Sequence, residues 1–164
     1  MYGGTLRNRR RGRRGPRPLA TKQSMHLCLK SSRATGEWSF YRHRTKVRAI
    51  VDKFTRKYRV SLHSMANVGN HLHLHIQLRD RHAYKPFIRA ISAAIAMAVT
   101  GASRWNKVKT KFWDYRPFTR VIVGFNAFLR MKDYIFINQV EGQGYDRPLA
   151  RIIVNELIKR RSRA

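Results

Sequence analysis

The chain has 164 residues, about one domain's length, and its 36 Lys and Arg against 8 Asp and Glu give a formal net charge of +28. Self-repulsion on that scale opposes a compact fold unless a polyanion offsets it, which argues against an enzyme of small metabolites and for a nucleic-acid partner. A hydrophobic content of 43% excludes a wholly disordered basic protein, and a single cysteine, Cys28, excludes an internal disulfide framework and any Cys-cluster zinc module.

Residues 1–22 carry Arg7, Arg9, Arg10, Arg11, Arg13, Arg14, Arg17 and Lys22 among Gly and Pro, with no acidic residue. Such a stretch cannot bury a core, so it is expected to be a disordered basic arm lying along phosphates. From Ser24 the pattern changes. Met25, Leu27 and Leu29 alternate with His26, Cys28 and Lys30, predicting a strand. Trp38–Tyr41 reads as a second short strand or hairpin continuation. Val47, Ile50, Val51 and Phe54 recur at helical spacing within Thr45–Tyr58, with basic residues on the other face. Arg59–Met65 reads as a strand, and Asn67, Gly69 and Asn70 supply turn chemistry.

His71–Leu78 alternates most clearly: His71, His73, His75 and Gln77 share one face, and Leu72, Leu74, Ile76 and Leu78 the other. Pro86, tolerated in a first helical turn, starts a helix to about Thr100. Its weakly polar stretch is too short for the roughly 20 apolar residues of a membrane span. Lys111–Val123 reads as extended and broken near Pro117. Phe125–Asn138 reads as an amphipathic helix with Phe128, Met131 and Ile135 on one side, and Leu149–Ile158 as a short helix before a basic end. This order predicts an α/β two-layer sandwich, with a mainly antiparallel central sheet and helices packed on it. The expected organisation is the arm over 1–22, one folded domain over 23–141 and a basic tail with a short helix over 142–164.

Three histidines at spacing two put their imidazoles on one strand face, roughly 6.5 to 7 Å apart, so adjacent ones can share a metal. Neutral imidazoles bring no charge, and a Mg²⁺ or Mn²⁺ site would still need oxygen donors and a substrate phosphate. Tyr134 and Asn138 stand one helical turn apart and project from one side. If that helix covers the histidines, the amide can complete the metal shell while the phenol points at the phosphate.

Asn70-His71-Leu72-His73-Leu74 resembles the His-hydrophobe-His motif of HUH endonucleases. Lys111-Phe112-Trp113 and Asp133-Tyr134-Ile135-Phe136-Ile137-Asn138 resemble the two downstream signatures of single-tyrosine transposases, especially REP-associated tyrosine transposases and small insertion-sequence transposases. The resemblance spans Ser24 to Val140. It implies a ferredoxin-like HUH topology, His71 and His73 as ligands of a divalent ion, Tyr134 as nucleophile and Asn138 as the helix-borne third ligand. His75 is an alternate ligand and Tyr115 an alternate nucleophile. The chain has Val68-Gly69-Asn70 where the family usually has Met-Pro-Asn, and Asn138-Gln139 where it commonly has Asn-Pro. The implied reaction is cleavage and transfer of single-stranded hairpin DNA through a 5′-phosphotyrosine link.

Arg44, Lys46 and Arg48 on the first helix, Arg79 and Arg81 after the histidine strand, and Arg9, Arg10, Arg11, Arg13 and Arg14 of the arm suit a phosphate-tracking surface. Trp105, Phe112 and Trp113 are core residues or base-stacking ones. Charge alone fits a non-catalytic ribosome-associated binder, or a host-adopted hairpin binder, as well as a transposase. A zinc hydrolase using His71, His73 and His75 lacks a nearby carboxylate base. The expected setting is the bacterial cytoplasm or nucleoid, without a membrane partner; the resemblance allows a monomer or a homodimer.

Overall fold

The computed structural model describes residues 18–103, 105–108 and 110–161, so the arm arginines Arg9, Arg10, Arg11, Arg13 and Arg14 lie outside the described residues. The elements are β1 (Met25–Lys30), α1 (Arg44–Lys57), β2 (Val60–Asn67), β3 (His71–Leu78), α2 (Tyr84–Thr100), β4 (Phe118–Val121), α3 (Phe125–Glu141) and α4 (Arg147–Arg161). The strands form one sheet in the order β2-β3-β1-β4, and every neighbouring pair is antiparallel. The first six elements therefore run β-α-β-β-α-β with β1 and β3 in the middle, the ferredoxin-like arrangement. No helix among the described residues is long and apolar enough to cross a membrane.

Alternation along the two central strands divides the chemistry between the sheet's faces. Met25, Leu27 and Leu29 of β1 join Leu72, Leu74, Ile76 and Leu78 of β3 on one face. There they are buried against Val47 and Val51 of α1 and Phe87, Ile91 and Ile95 of α2. Each fully buried side chain of this size stabilises the fold by roughly 1.5 to 3 kcal/mol. The opposite face carries the histidines. On it lies α3, with Phe128 set against the rings of His63 and His75 at 5.0 and 4.7 Å between centroids, and α4 packs behind α3. Helices thus cover both sides of the antiparallel sheet.

β2 keeps this division only because its register shifts between Leu62 and Ser64. The bulge lets Leu62 and Met65 both reach the apolar core, while His63 faces α3. Without the extra residue, one half of the strand would turn its apolar side chains to the wrong face.

Helix limits follow local chemistry. α2 ends where Gly101 adopts φ +69°, a left-handed conformation open to glycine. Pro86 sits in its first turn, two residues later than the observed start. The expected strand at Trp38–Tyr41 is instead a 3₁₀ turn at Gly36–Trp38 followed by irregular chain. A backbone bond from Phe40 N–H to Gly69 C=O, 2.7 Å, pins this segment to the β2–β3 turn, and the Phe40 ring is fully buried. Of Lys111–Val123 only Phe118–Val121 forms a strand, though Asp114 N–H also bonds the Lys30 carbonyl of β1 at 3.1 Å. Phe112 is buried against Phe40 and Trp113, and Trp113 Nε1–H donates to the Ser92 carbonyl at 3.0 Å. These two aromatics therefore serve the core. Trp105 is 89% exposed.

Candidate active site

Three imidazoles and one phenol meet between the sheet and α3. His73 lies with its ring centroid 4.8 Å from that of His71, 5.1 Å from that of His26 and 5.5 Å from that of Tyr134. Tyr134 also meets His26 edge-on at 5.9 Å. Composition of β1 alone did not single out His26. It enters the site because β1 pairs with β3, Cys28 standing opposite His73 and His26 opposite His75. The signal was present in the alternation of His26 with Met25 and Leu27, but only the strand order gives it meaning.

The ring nitrogens are not equivalent. His71 Nδ1 lies 2.7 Å from the Asn70 side-chain oxygen; that oxygen only accepts, so Nδ1 carries the proton and Nε2 is bare in the neutral ring. His73 Nδ1 lies 2.8 Å from His26 Nε2, and His73 Nε2 is buried with no hydrogen-bond partner among the described residues. Burial, followed by the charges of His26, His71 and Arg147, pushes His73 down to about 3. Burial and Lys30 also lower His71. Both are neutral near pH 7, the form that binds metals.

His75 sits differently. It is fully buried, its Nε2 bonds Ser24 Oγ at 2.7 Å, and Phe128 and His63 enclose its ring. Tyr115 is exposed in the loop before β4, off the tyrosine helix. Cys28 is pushed up to about 11, chiefly by burial, so without a metal its thiol stays protonated near neutrality.

Tyr134 projects from α3 and is half-buried. Burial raises its phenol above the ordinary value, while the Asn138 side chain and the Arg147 cation oppose that rise. Arg147 lies 5.9 Å over the Tyr134 ring and pairs with Glu141 at 3.0 Å. Asn138 is buried at 5% exposure, and its Nδ2 donates to the Tyr134 carbonyl at 2.6 Å. That bond uses the amide's donor side and leaves Oδ1 as the oxygen it can offer.

Among the described residues no group of three or more His, Cys, Asp or Glu could hold a metal ion. The divalent ion implied by the sequence resemblance would have to be held by two imidazoles, with further donors from Asn138 and a substrate phosphate. The donors fit: two neutral rings on one strand, one with a buried, partnerless Nε2, and a buried amide on the facing helix.

Cations on the histidine face were not among the residues singled out for DNA. Lys30 stands opposite His71, and Arg120 opposite His26. Lys132 acts on His63 and His75, and Arg147 on Tyr134 and His73. By contrast Arg44, Lys46 and Arg48 are exposed on α1, in the layer on the other side of the sheet, and Arg48 is paired with Asp52 at 2.8 Å. Arg79 and Arg81 are exposed beyond Leu78, at the opposite end of β3 from His71. The structure thus gathers His26, His71, His73 and Tyr134, and puts the charges of α1 on the other side of the sheet.

A βαββαβ sheet thus presents histidines to a helix-borne tyrosine. Residues 23–137 match the model of the IS200-like transposases, and the chain belongs to that family. Among solved structures it is similar to a REP-associated tyrosine transposase bound to a REP hairpin, with a TM-score of 0.63 and 15% identity over 79% of this chain and 74% of that one. It also matches a candidate transposase of Deinococcus radiodurans, with a TM-score of 0.48 and 15% identity over 79% and 97% of the two chains. No curated protein matches the sequence.

Proposed function

We propose that this transposase cuts and rejoins single-stranded, hairpin-containing DNA with Tyr134 as nucleophile. The observation that carries the reading is the Tyr134 ring packed 5.5 Å from that of His73, whose Nε2 is buried and without a partner among the described residues. His71, His73 and Asn138 would hold Mg²⁺ or Mn²⁺. When bound, such an ion polarises the scissile phosphate and offsets the charge that develops on it.

The chain's own residues do the rest. α3 holds the phenol over the histidine face, so attack begins from a fixed position. Burial keeps the phenol protonated at rest, while Arg147 favours the phenolate as the proton leaves. The Tyr134 oxygen forms a bond to phosphorus, the bond from phosphorus to the 3′ oxygen breaks, and that oxygen takes up a proton. A 5′-phosphotyrosine link and a free 3′-OH result. A second 3′-OH reverses the step and joins strands without ATP, because the link conserves the phosphoester. Lys30, Arg120 and Arg147 supply positive charge for the strand's phosphates on this face. The similar solved structure bound to a REP hairpin supports hairpin DNA as the substrate class.

Tyr134→Phe removes one oxygen and keeps the ring. With Mn²⁺ and labelled single-stranded hairpins from the flanks of the gene, wild type should form an adduct that survives denaturing electrophoresis and maps to the Tyr134 peptide. The variant should bind the same DNA, cut at least 1000-fold more slowly, on the order expected for loss of a nucleophile, and form no adduct. An adduct on Tyr115 would move the nucleophile. Binding by wild type without an adduct on any such hairpin would make the protein a hairpin binder.

A further inference from the structure

We infer that His26 is a positioning residue of the active site: it accepts a hydrogen bond from His73 Nδ1–H and so holds His73 in the tautomer whose Nε2 is bare and available to a divalent ion. The inference rests on the metal reading above and adds to it a residue on a different strand.

One proton lies between His26 Nε2 and His73 Nδ1, which are 2.8 Å apart. If it belonged to His26, neutral His73 would carry its own proton on Nε2, an atom buried with no acceptor among the described residues. Orphaned buried donors are rarer than under-used acceptors, so the proton is better placed on His73 Nδ1. His71 shows the same arrangement with a different partner, its Nδ1–H donating to the Asn70 side-chain oxygen at 2.7 Å. Both histidines therefore spend Nδ1 on a neighbour and keep Nε2 free, the pattern by which histidine ligands are oriented and made more basic.

His26 is built for the task. It is 8% exposed, its ring stacks on that of His73 at an interplanar angle of 21°, and Phe118 and Tyr134 meet it edge-on. The apolar core on the far face is already filled from β1 by Met25, Leu27 and Leu29, so packing there does not call for a histidine at position 26.

The test titrates the full chain with Mn²⁺ by calorimetry and reads the histidine tautomers of the metal-free protein from imidazole ¹⁵N shifts. Wild type should show one saturable site, with His73 protonated on Nδ1. His26→Phe should weaken Mn²⁺ binding about 10- to 100-fold, the range for loss of an outer-shell partner. His26→Gln, whose amide oxygen can accept the same bond, should restore most of it. His71→Ala should lose the site. If His71→Ala binds Mn²⁺ as wild type does, the metal reading fails. If His71→Ala loses the ion while His26→Phe binds it normally, the role of His26 fails and the metal reading stands. Where His26→Phe does not fold, the wild-type spectrum decides: His73 protonated on Nε2 overturns the inference.

Discussion

Burial of several imidazoles on one sheet face ties stability to pH through single residues. His26 and His75 are each lowered to about 4 and His73 to about 3, in every case chiefly by burial. In the unfolded chain the same groups take up protons near 6.5. Between that value and the folded ones the unfolded state binds more protons, so stability falls as pH falls. Each such histidine contributes a slope approaching ~1.4 kcal/mol per pH unit in that window. Metal-free protein should therefore hold a nearly constant melting temperature between about pH 7 and 8, below the range where Cys28 would titrate in the unfolded chain, and lose it steeply from pH 6.5 towards 4. His75→Gln, which removes one of these groups, should make the decline shallower; an unchanged profile would mean that His75 is not neutral in the folded chain.

At the scale of elements, the placement of α3 governs the site, and Gly142 fixes its end. A Cβ at this position would overlap the Tyr41 hydroxyl and lie 2.7 Å from the Asn67 carbonyl oxygen, so α3 approaches the end of β2 more closely than any other residue would permit. Gly142→Ala should destabilise the protein by about 1 to 3 kcal/mol, the usual cost of overpacking, measured as a lower urea midpoint, and should slow cleavage by tilting Tyr134. Retained stability and rate would show that the helix end yields freely. Much of this architecture was legible in the sequence. β3 was readable residue for residue, because alternation of His with Leu and Ile leaves a single register that buries the apolar set. Tyr134 and Asn138 were readable because helical spacing puts them on one side. What was not legible depends on contacts distant in the chain. His26 reaches His73 only because β1 lies beside β3, the β2 bulge leaves no compositional trace, and Trp38–Tyr41 has a strand's composition but a ladder partner on neither side. Phe112 and Trp113 resemble base-stacking residues until Phe40 and Ser92 are seen against them.

For the whole molecule, the cations among the described residues lie on two sides of a sheet, only one of which holds the histidines. Lys30 and Arg120 flank the site, whereas Arg44 and Lys46 project from the opposite layer. Counterion release makes log affinity fall linearly with log salt, by roughly one unit of slope per phosphate contact. Lys30→Ala with Arg120→Ala should therefore flatten the slope for hairpin DNA by about two and slow cutting. Arg44→Ala with Lys46→Ala should leave the cutting rate of bound DNA unchanged. If the α1 pair slowed cutting and the site pair did not, the strand would follow a path across the other face.

The closed βαββαβ unit is complete at Val121, and α3 follows it through Gly124. Tyr134 and Asn138 thus lie in the reading frame after every strand and both helices that bury the main core. A frameshift or stop between codons 125 and 133 removes Tyr134 and Asn138 while the whole apolar face of the sheet remains encoded. In a lineage under no selection for α3, decay from the 3′ end of the gene would leave a histidine-bearing sheet that outlasts the helix once packed on it.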